Sequence, residues 1–361
     1  MKKRWLYLII LLVLAVVTVA LIFRNQNVNT LDENSDFAVV DTASITRIFL
    51  ADKNNNTVLL QRGEDQKWTV NNVFPASTYS IGLFMKTLMS VDVKSPVSRN
   101  SHDNIVKVLA SSSVKVEIYQ RAYRIDLFGS IRWFPYEKLS KTYYVGFATQ
   151  DNQGTYMLME GSAEPFIVHI PGFKGFLSTR YSPFEKDWRD HKIFSYKYKD
   201  LKSVKLWMPE YPDQSFMAVK KDMRNFELYS LNGPDAVGEK MPVFDTLEVM
   251  DLFSSFEDIR FEALVDDLDP KIIDSIKNAP PYHVLTLETA GGEKNLLKSW
   301  HKKGAPDNVD SKGNPLPWDP DRMYASINND ADFVLIQFFV FDRIFRPLDS
   351  FLPQKNPATA P

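Results

Sequence analysis

The two halves of this chain carry one order of apolar and turn segments twice, which restricts the fold to a tandem pair of similar units. ITRIFL at residues 45–50 matches LKSVKL at 201–206, and KWTVNN around Trp68 matches NFELYS around Phe226. HDNIVKVL at 102–109 matches DPKIIDSI at 269–276, and KVEIY at 115–119 matches HVLTL at 283–287. PFIV at 165–168 matches DFVL at 332–335, and SPF at 182–184 matches DSF at 349–351. The separation starts at about 156 residues and settles at about 167 after one loop-like insertion, NGPDAVGEK; a steady period is the signature of duplication.

Each unit reads alike. Short strands come first, at 45–50, 57–61 and 68–70 in the first copy. An amphipathic helix follows from Ser77 to about Ser90, with Ile81, Phe84, Met85, Leu88 and Met89 as its apolar stripe. Asp245 opens its counterpart, where Leu247, Met250, Phe253 and Phe256 repeat the stripe. A shorter helix comes next, capped by Ser101 or by Asp269 with Pro270 behind it. A meander closes the unit, with strands at 114–120, 123–128, 142–146, 155–160 and 166–170. Alternating apolar and polar residues suit antiparallel strands with one buried face. The expected class is α+β, each repeat a mostly antiparallel sheet covered by one or two helices.

The ends read differently. Residues 5–23, from Trp5 to Phe23, are WLYLIILLVLAVVTVALIF. A helix of that length would cover about 28 Å, close to a bilayer's hydrocarbon thickness. Lys2, Lys3 and Arg4 precede it and acidic residues follow, so the positive-inside rule puts the N-terminus in the cytoplasm. No good A-x-A cleavage site ends the run, which favours an uncleaved signal anchor. The expectation is a single-pass protein of the inner (cytoplasmic) membrane with a periplasmic body. Its parts are a stub and transmembrane helix at 1–23, a flexible linker at 24–42, repeats at 43–195 and 196–352, and a disordered tail at 353–361.

Composition excludes several chemistries. The chain has no cysteine, so disulfides, zinc-thiolate sites and cysteine nucleophiles are ruled out. Its net charge is -2 even with the three basic residues of the stub included, a poor match to nucleic acid. No P-loop, dinucleotide fingerprint, G-x-S-x-G or H-E-x-x-H motif occurs. His102, His169, His191, His283 and His301 are each isolated in sequence. Asn308, Asp310, Gly313 and Asp319 echo a calcium loop faintly, but Lys312 puts a cation among the ligands. No cofactor, metal ligand or catalytic residue is assigned.

ASITRIFL, QKWTVNN, GTYMLMEGSAEPFIVHIPGF and the closing EKDWRDHKIF together resemble the bacterial domain of unknown function family 4340. Residues 43–195 carry the resemblance best; the second unit lacks the Trp of the KW motif and the WRD ending. The resemblance implies an envelope protein, often membrane-anchored and encoded beside ABC transporters of the gliding-motility type. The family has no assigned catalytic residues, so none is carried over.

The resulting expectation is a non-enzymatic accessory or scaffold subunit whose partner is an inner-membrane or envelope protein, such as an ABC transporter. The alternative is an extracytoplasmic ligand- or glycan-binding module. Trp188, Arg189 and Asp190, the most distinctive local cluster, are candidate partner contacts, as is Trp318, set between Pro317 and Pro320 in a long polar loop. The competing reading of Trp188-Arg189-Asp190 is a clamp that closes the first unit.

Overall fold

A computed structural model describes residues 35–127, 131–328 and 330–353, with a few helical positions between 4 and 18. Arg4 and Trp5 are among those positions; Lys2, Lys3 and Phe23 lie outside the described residues. A helical span needs about 20 consecutive apolar residues with every backbone group bonded within the helix. No helix among the described residues is long and apolar enough to cross a membrane. This corrects the expected signal anchor, and with it the single-pass inner-membrane placement drawn from residues 5–23.

The chain divides into two units, residues 1–190 and 191–361. The first holds β1 (Ile45–Ala51), β2 (Thr57–Arg62), β3 (Trp68–Val70), β4 (Phe74–Pro75), α1 (Thr78–Ser90), β5 (Asp92–Pro96) and α2 (Arg99–Ser112). It continues with β6 (Val114–Leu127), β7 (Ile131–Ala148), β8 (Thr155–Met159) and β9 (Phe166–His169). These form one antiparallel sheet in the order β4-β3-β2-β1-β6-β7-β8-β9-β5. Side chains alternate across it. Ile48, Leu60, Ile118 and Val145 face α1, burying Ile81, Phe84 and Leu88. Gly146, next in line, faces the other way, and a Cβ there would stand 2.4 Å from Leu109 Cδ2 on α2. The missing side chain lets α2 sit on that second face.

The second unit holds β10 (Lys192–Phe194), β11 (Leu201–Trp207), β12 (Phe216–Lys220), β13 (Phe226–Gly233), β14 (Ala236–Lys240), α3 (Thr246–Ser254), β15 (Ile259–Arg260) and β16 (Ala263–Leu264). It continues with α4 (Pro270–Asn278), β17 (His283–Thr289), β18 (Lys294–Lys303), β19 (Trp318–Ile327), β20 (Asp332–Gln337) and α5 (Phe338–Phe341). Its sheet runs β14-β13-β12-β11-β17-β18-β19-β20-β16, the first sheet's order strand for strand, while β10 pairs with β15 apart. Even an irregularity recurs: register shifts between Ile45 and Arg47 on β1 and between Leu201 and Ser203 on β11, where each meets its central partner. Bulges kept in place in this way are built features of a sheet. Val249, Leu252 and Phe253 of α3 fill one core, and Ile273 and Ile276 of α4 pack with Trp300 and Phe333 on the opposite face.

The α+β class is corrected to a mostly antiparallel β architecture of two large sheets, since strands take 41% of the residues and helices 24%. Strands read as short fragments are long: β6 and β7 run 14 and 18 residues, because pairing continues past the point where one face is buried.

The same device closes both units. Ser77 caps α1 by accepting from Ser80 N–H, and its own N–H donates to the Trp188 carbonyl at 2.7 Å. Asp245 caps α3, and its N–H donates to the Phe351 carbonyl at 2.8 Å. Two sequence boundaries shift. Helix α2 begins behind Ser98, not Ser101, and residues 35–42 are not tether: Phe37 and Val39 are core, with Phe37 against Tyr143 and Phe166. At Gly304 a Cβ would lie 2.3 Å from the Leu316 carbonyl oxygen, a backbone atom that cannot rotate away. Gly304→Ala is expected to cost about 1–3 kcal/mol of overpacking strain, read as a lowered denaturant midpoint.

Candidate interaction surface

β6 and β7 outrun their sheet. β1 pairs with β6 only as far as Gln120, and β8 pairs with β7 only from Tyr143. Beyond those points the two strands pair with each other, through Arg121 with Glu137, Ala122 with Tyr136, Tyr123 with Pro135, Ile125 with Trp133 and Asp126 with Arg132. At about 3.4 Å per residue this arm reaches roughly 20 Å past the sheet. The corresponding β17–β18 connection is a tight turn in which Thr289 N–H donates to Glu293 O at 2.9 Å and Gly292 takes φ 84°. The arm therefore belongs to the first unit alone.

A lone two-stranded hairpin is marginally stable in water, so its root and its cross-strand pairs matter. Arg47 anchors the root: it pairs with Glu137 at 2.6 Å and lies 3.9 Å over the Tyr119 ring. Thr46 Oγ1 donates to the same Glu137 carboxylate at 2.7 Å. Tyr119 O–H donates to Glu117; burial alone would raise the Glu117 carboxyl, but bonds from Lys115 and Tyr119 hold it below its usual range. Along the arm, Ile125 and Trp133 form an aliphatic–aromatic pair of a kind worth about 0.2–1 kcal/mol. Arg132 pairs with Asp126 at 3.4 Å and sits 5.5 Å from the Tyr123 ring centre.

The outer arm shows its aromatic side chains to solvent. Phe134 is 65% exposed and Trp133 58%, with Ile125, Tyr136 and Leu139 exposed beside them. Phe134 also holds φ +57°, rare for a bulky residue. Scattered surface apolar residues are ordinary, but a cluster of this kind marks an interaction site, and aromatics and arginine are enriched at interface hot spots. Between the arm, the start of β1 and the β2–β3 turn lies an open cleft of about 630 Å³, lined by Arg62, Arg121, Arg132 and Lys138 against Asp41 and Asp126.

The residues singled out in sequence fall elsewhere. Trp188 is 4% exposed and packs on Phe84, its Nε1 donating to Ser182 O at 2.8 Å. Arg189 is 7% exposed, stacked 3.5 Å over Phe74 and paired with Glu185. Asp190 N–H donates to Pro75 O. The first two have no surface to offer a partner; the cluster ties the unit's last residues to β4 and α1. Trp318 opens β19, is 50% exposed and lies flat on His301, with ring centres 4.9 Å apart. His301 Nε2 in turn meets Glu210 Oε1 at 3.0 Å. Asp310 accepts from the N–H groups of Lys312 and Asn314, the geometry of a turn. The groups held so near in space share no single centre: among the described residues no three His, Asp or Glu side chains are placed to hold one metal ion.

The arm went unread in sequence because 114–120, 123–128 and 142–146 look like three separate strands. The available signal was SIRWFPYEKLSK, an aromatic and charged alternation with no match in the second copy. Comparison with protein-family models, curated proteins and solved structures finds no match to this chain.

Proposed function

We propose that this protein is a non-enzymatic binding module that acts as an accessory or scaffold subunit and takes a protein partner on the β6–β7 arm. The observation that carries this reading is the arm itself: one of two topologically matching sheets bears a protruding, aromatic, root-braced hairpin and the other does not. Nothing in the packing of the first unit calls for the arm, since its outer residues lie outside that unit's core. The resemblance to domain family 4340 makes an ABC-transporter assembly the first partner to test.

The test replaces residues 121–137 by the short turn at 290–292 of the second unit. The expected result is an unchanged fold by circular dichroism and loss of the partner that full-length protein retains in affinity capture with cross-linking. Retention of the same partner by the shortened chain would overturn the reading. A glycan- or ligand-binding module is the second reading, favoured by the half-exposed Trp318 face held rigid on His301 beside the Glu210 carboxylate.

A further inference from the structure

We propose, building on the protein-binding reading above, that the free edge of β6 takes an extended acidic peptide segment of the partner by strand addition. Three observations converge there. The first is an unused ladder. Among the described residues no strand pairs with the outer side of β6 beyond Gln120, and residues 121–127, RAYRIDL, contain no proline or glycine. Alternate residues of this stretch, those not bonded across to β7, therefore turn an unpaired N–H and C=O outward, the template that strand addition uses. The edge of β7 is a poorer template. Pro135 has no N–H, and Phe134 leaves the extended region at φ +57°.

The second is position. The cleft is bounded by Ala43, Ser44, Ile45 and Thr46, where the chain enters β1, and by Arg121, Ala122 and Tyr123 on β6. A strand laid on the β6 edge there continues the line of β1 and occupies the cleft. Gln120 Nε2, bonded to Asp41 O at 3.0 Å and Ser44 Oγ at 2.8 Å, fixes the wall where β1 stops.

The third is charge. Four cations line the cleft against two carboxylates, on a chain whose net charge is -2. Asp126 is already paired with Arg132, and Asp41 accepts from Ser44 N–H at 3.2 Å. Arg121 and Lys138 have no carboxylate partner among the described residues. Lys138, paired across from Gln120, lies on the opposite face of the ladder from Arg121, so an added strand with acidic residues at every second position meets one of the two cations whichever way it faces. Backbone pairing supplies the docking and the cations supply selectivity. A polynucleotide has no peptide ladder to offer, which favours a polypeptide over nucleic acid.

The probe is a fluorescein-labelled peptide of sequence ETETETE, titrated with the full chain and followed by anisotropy. Binding is expected, weakened by salt, and at least tenfold weaker for KTKTKTK and for ETEPETE, which lacks one backbone donor. Arg121→Glu combined with Lys138→Glu should weaken ETETETE at least tenfold at an unchanged thermal midpoint. Three results would overturn the proposal: no binding of ETETETE at low salt, equal binding by the charge-reversed variant, or a dT oligonucleotide that binds at least as tightly. The two readings fail separately. Partner loss from the shortened arm but not from the charge-reversed chain refutes acidic strand addition and leaves the arm as the docking element. Partner retention by the shortened arm refutes the arm itself.

Discussion

Trp188→Ala is expected to destabilise the first unit by roughly 3–5 kcal/mol, the usual cost of truncating a large buried aromatic. Two side-chain contributions are lost and one backbone contact is loosened. The indole packs at 4.9 Å from the Phe84 ring, which itself meets Tyr181 edge-on at 5.2 Å. Its Nε1–H bond to Ser182 O holds the segment that leads into the closing turn. The Trp188 carbonyl receives the Ser77 N–H, so loosening residue 188 also loosens the start of α1. Denaturant unfolding followed by far-ultraviolet circular dichroism measures the change. Trp133→Ala, on the exposed arm, serves as the contrast and should stay within about 1 kcal/mol of the parent, the upper worth of its pair with Ile125. Equal effects from the two substitutions would mean that Trp188 is not a structural clamp.

Acid should weaken the second unit through His283. The imidazole is buried, stacked on Phe345 with centres 4.1 Å apart and beside Tyr282 at 4.0 Å, and its Nδ1 lies 3.0 Å from Ser299 Oγ. Burial, with a smaller contribution from His301, pushes its pKa down to about 3. The folded protein thus holds this ring neutral where the unfolded chain, with a pKa near 6.5, protonates it. Between those values the unfolded state binds the extra proton, so stability falls as pH falls, by up to about 1.4 kcal/mol per pH unit. From pH 6.5 to pH 4 this amounts to about 3 kcal/mol, and the dependence dies away above pH 6.5, once the unfolded chain's imidazole is neutral as well. His283→Asn, which stays neutral throughout, should flatten that part of the profile. Parallel decline of parent and variant between pH 6.5 and 4 would show that His283 is not the group responsible.

Much of the fold is visible in residue order. Of the expected stripe α1 buries Ile81, Phe84 and Leu88 and leaves Met89 exposed, while it also buries Thr87; in the second copy Leu247 is likewise exposed. Asp245 and Asp269 stand before α3 and α4 and cap them. Trp68–Val70 is a strand with the bounds its pattern suggests. Such features are local: a helix stripe, a cap or an alternating strand depends on neighbours a few residues away. Phe37 and Val39 show the limit of that view, since two apolar residues in an Asn- and Asp-rich stretch reveal their role only against Tyr143, Phe166 and Leu88.

The arm was concealed by arithmetic. The first unit lengthens its β6–β7 hairpin, and the second lengthens the β18–β19 connection, whose residues 304–317 include the bridge of Val309 with Pro315. The two extensions nearly cancel, so the matching segments on either side keep the same separation and no insertion shows. The doubled order of strands and helices, and most of the faces they bury, can be read from residue order, because burial on a repeating element repeats in the chain. Long-range packing settles that Trp188 and Arg189 lie inside, that the His301 and Trp318 rings stack, and that β6 and β7 leave the sheet as a hairpin. Each of those depends on which distant strand ends first, a relation between segments that no local pattern encodes.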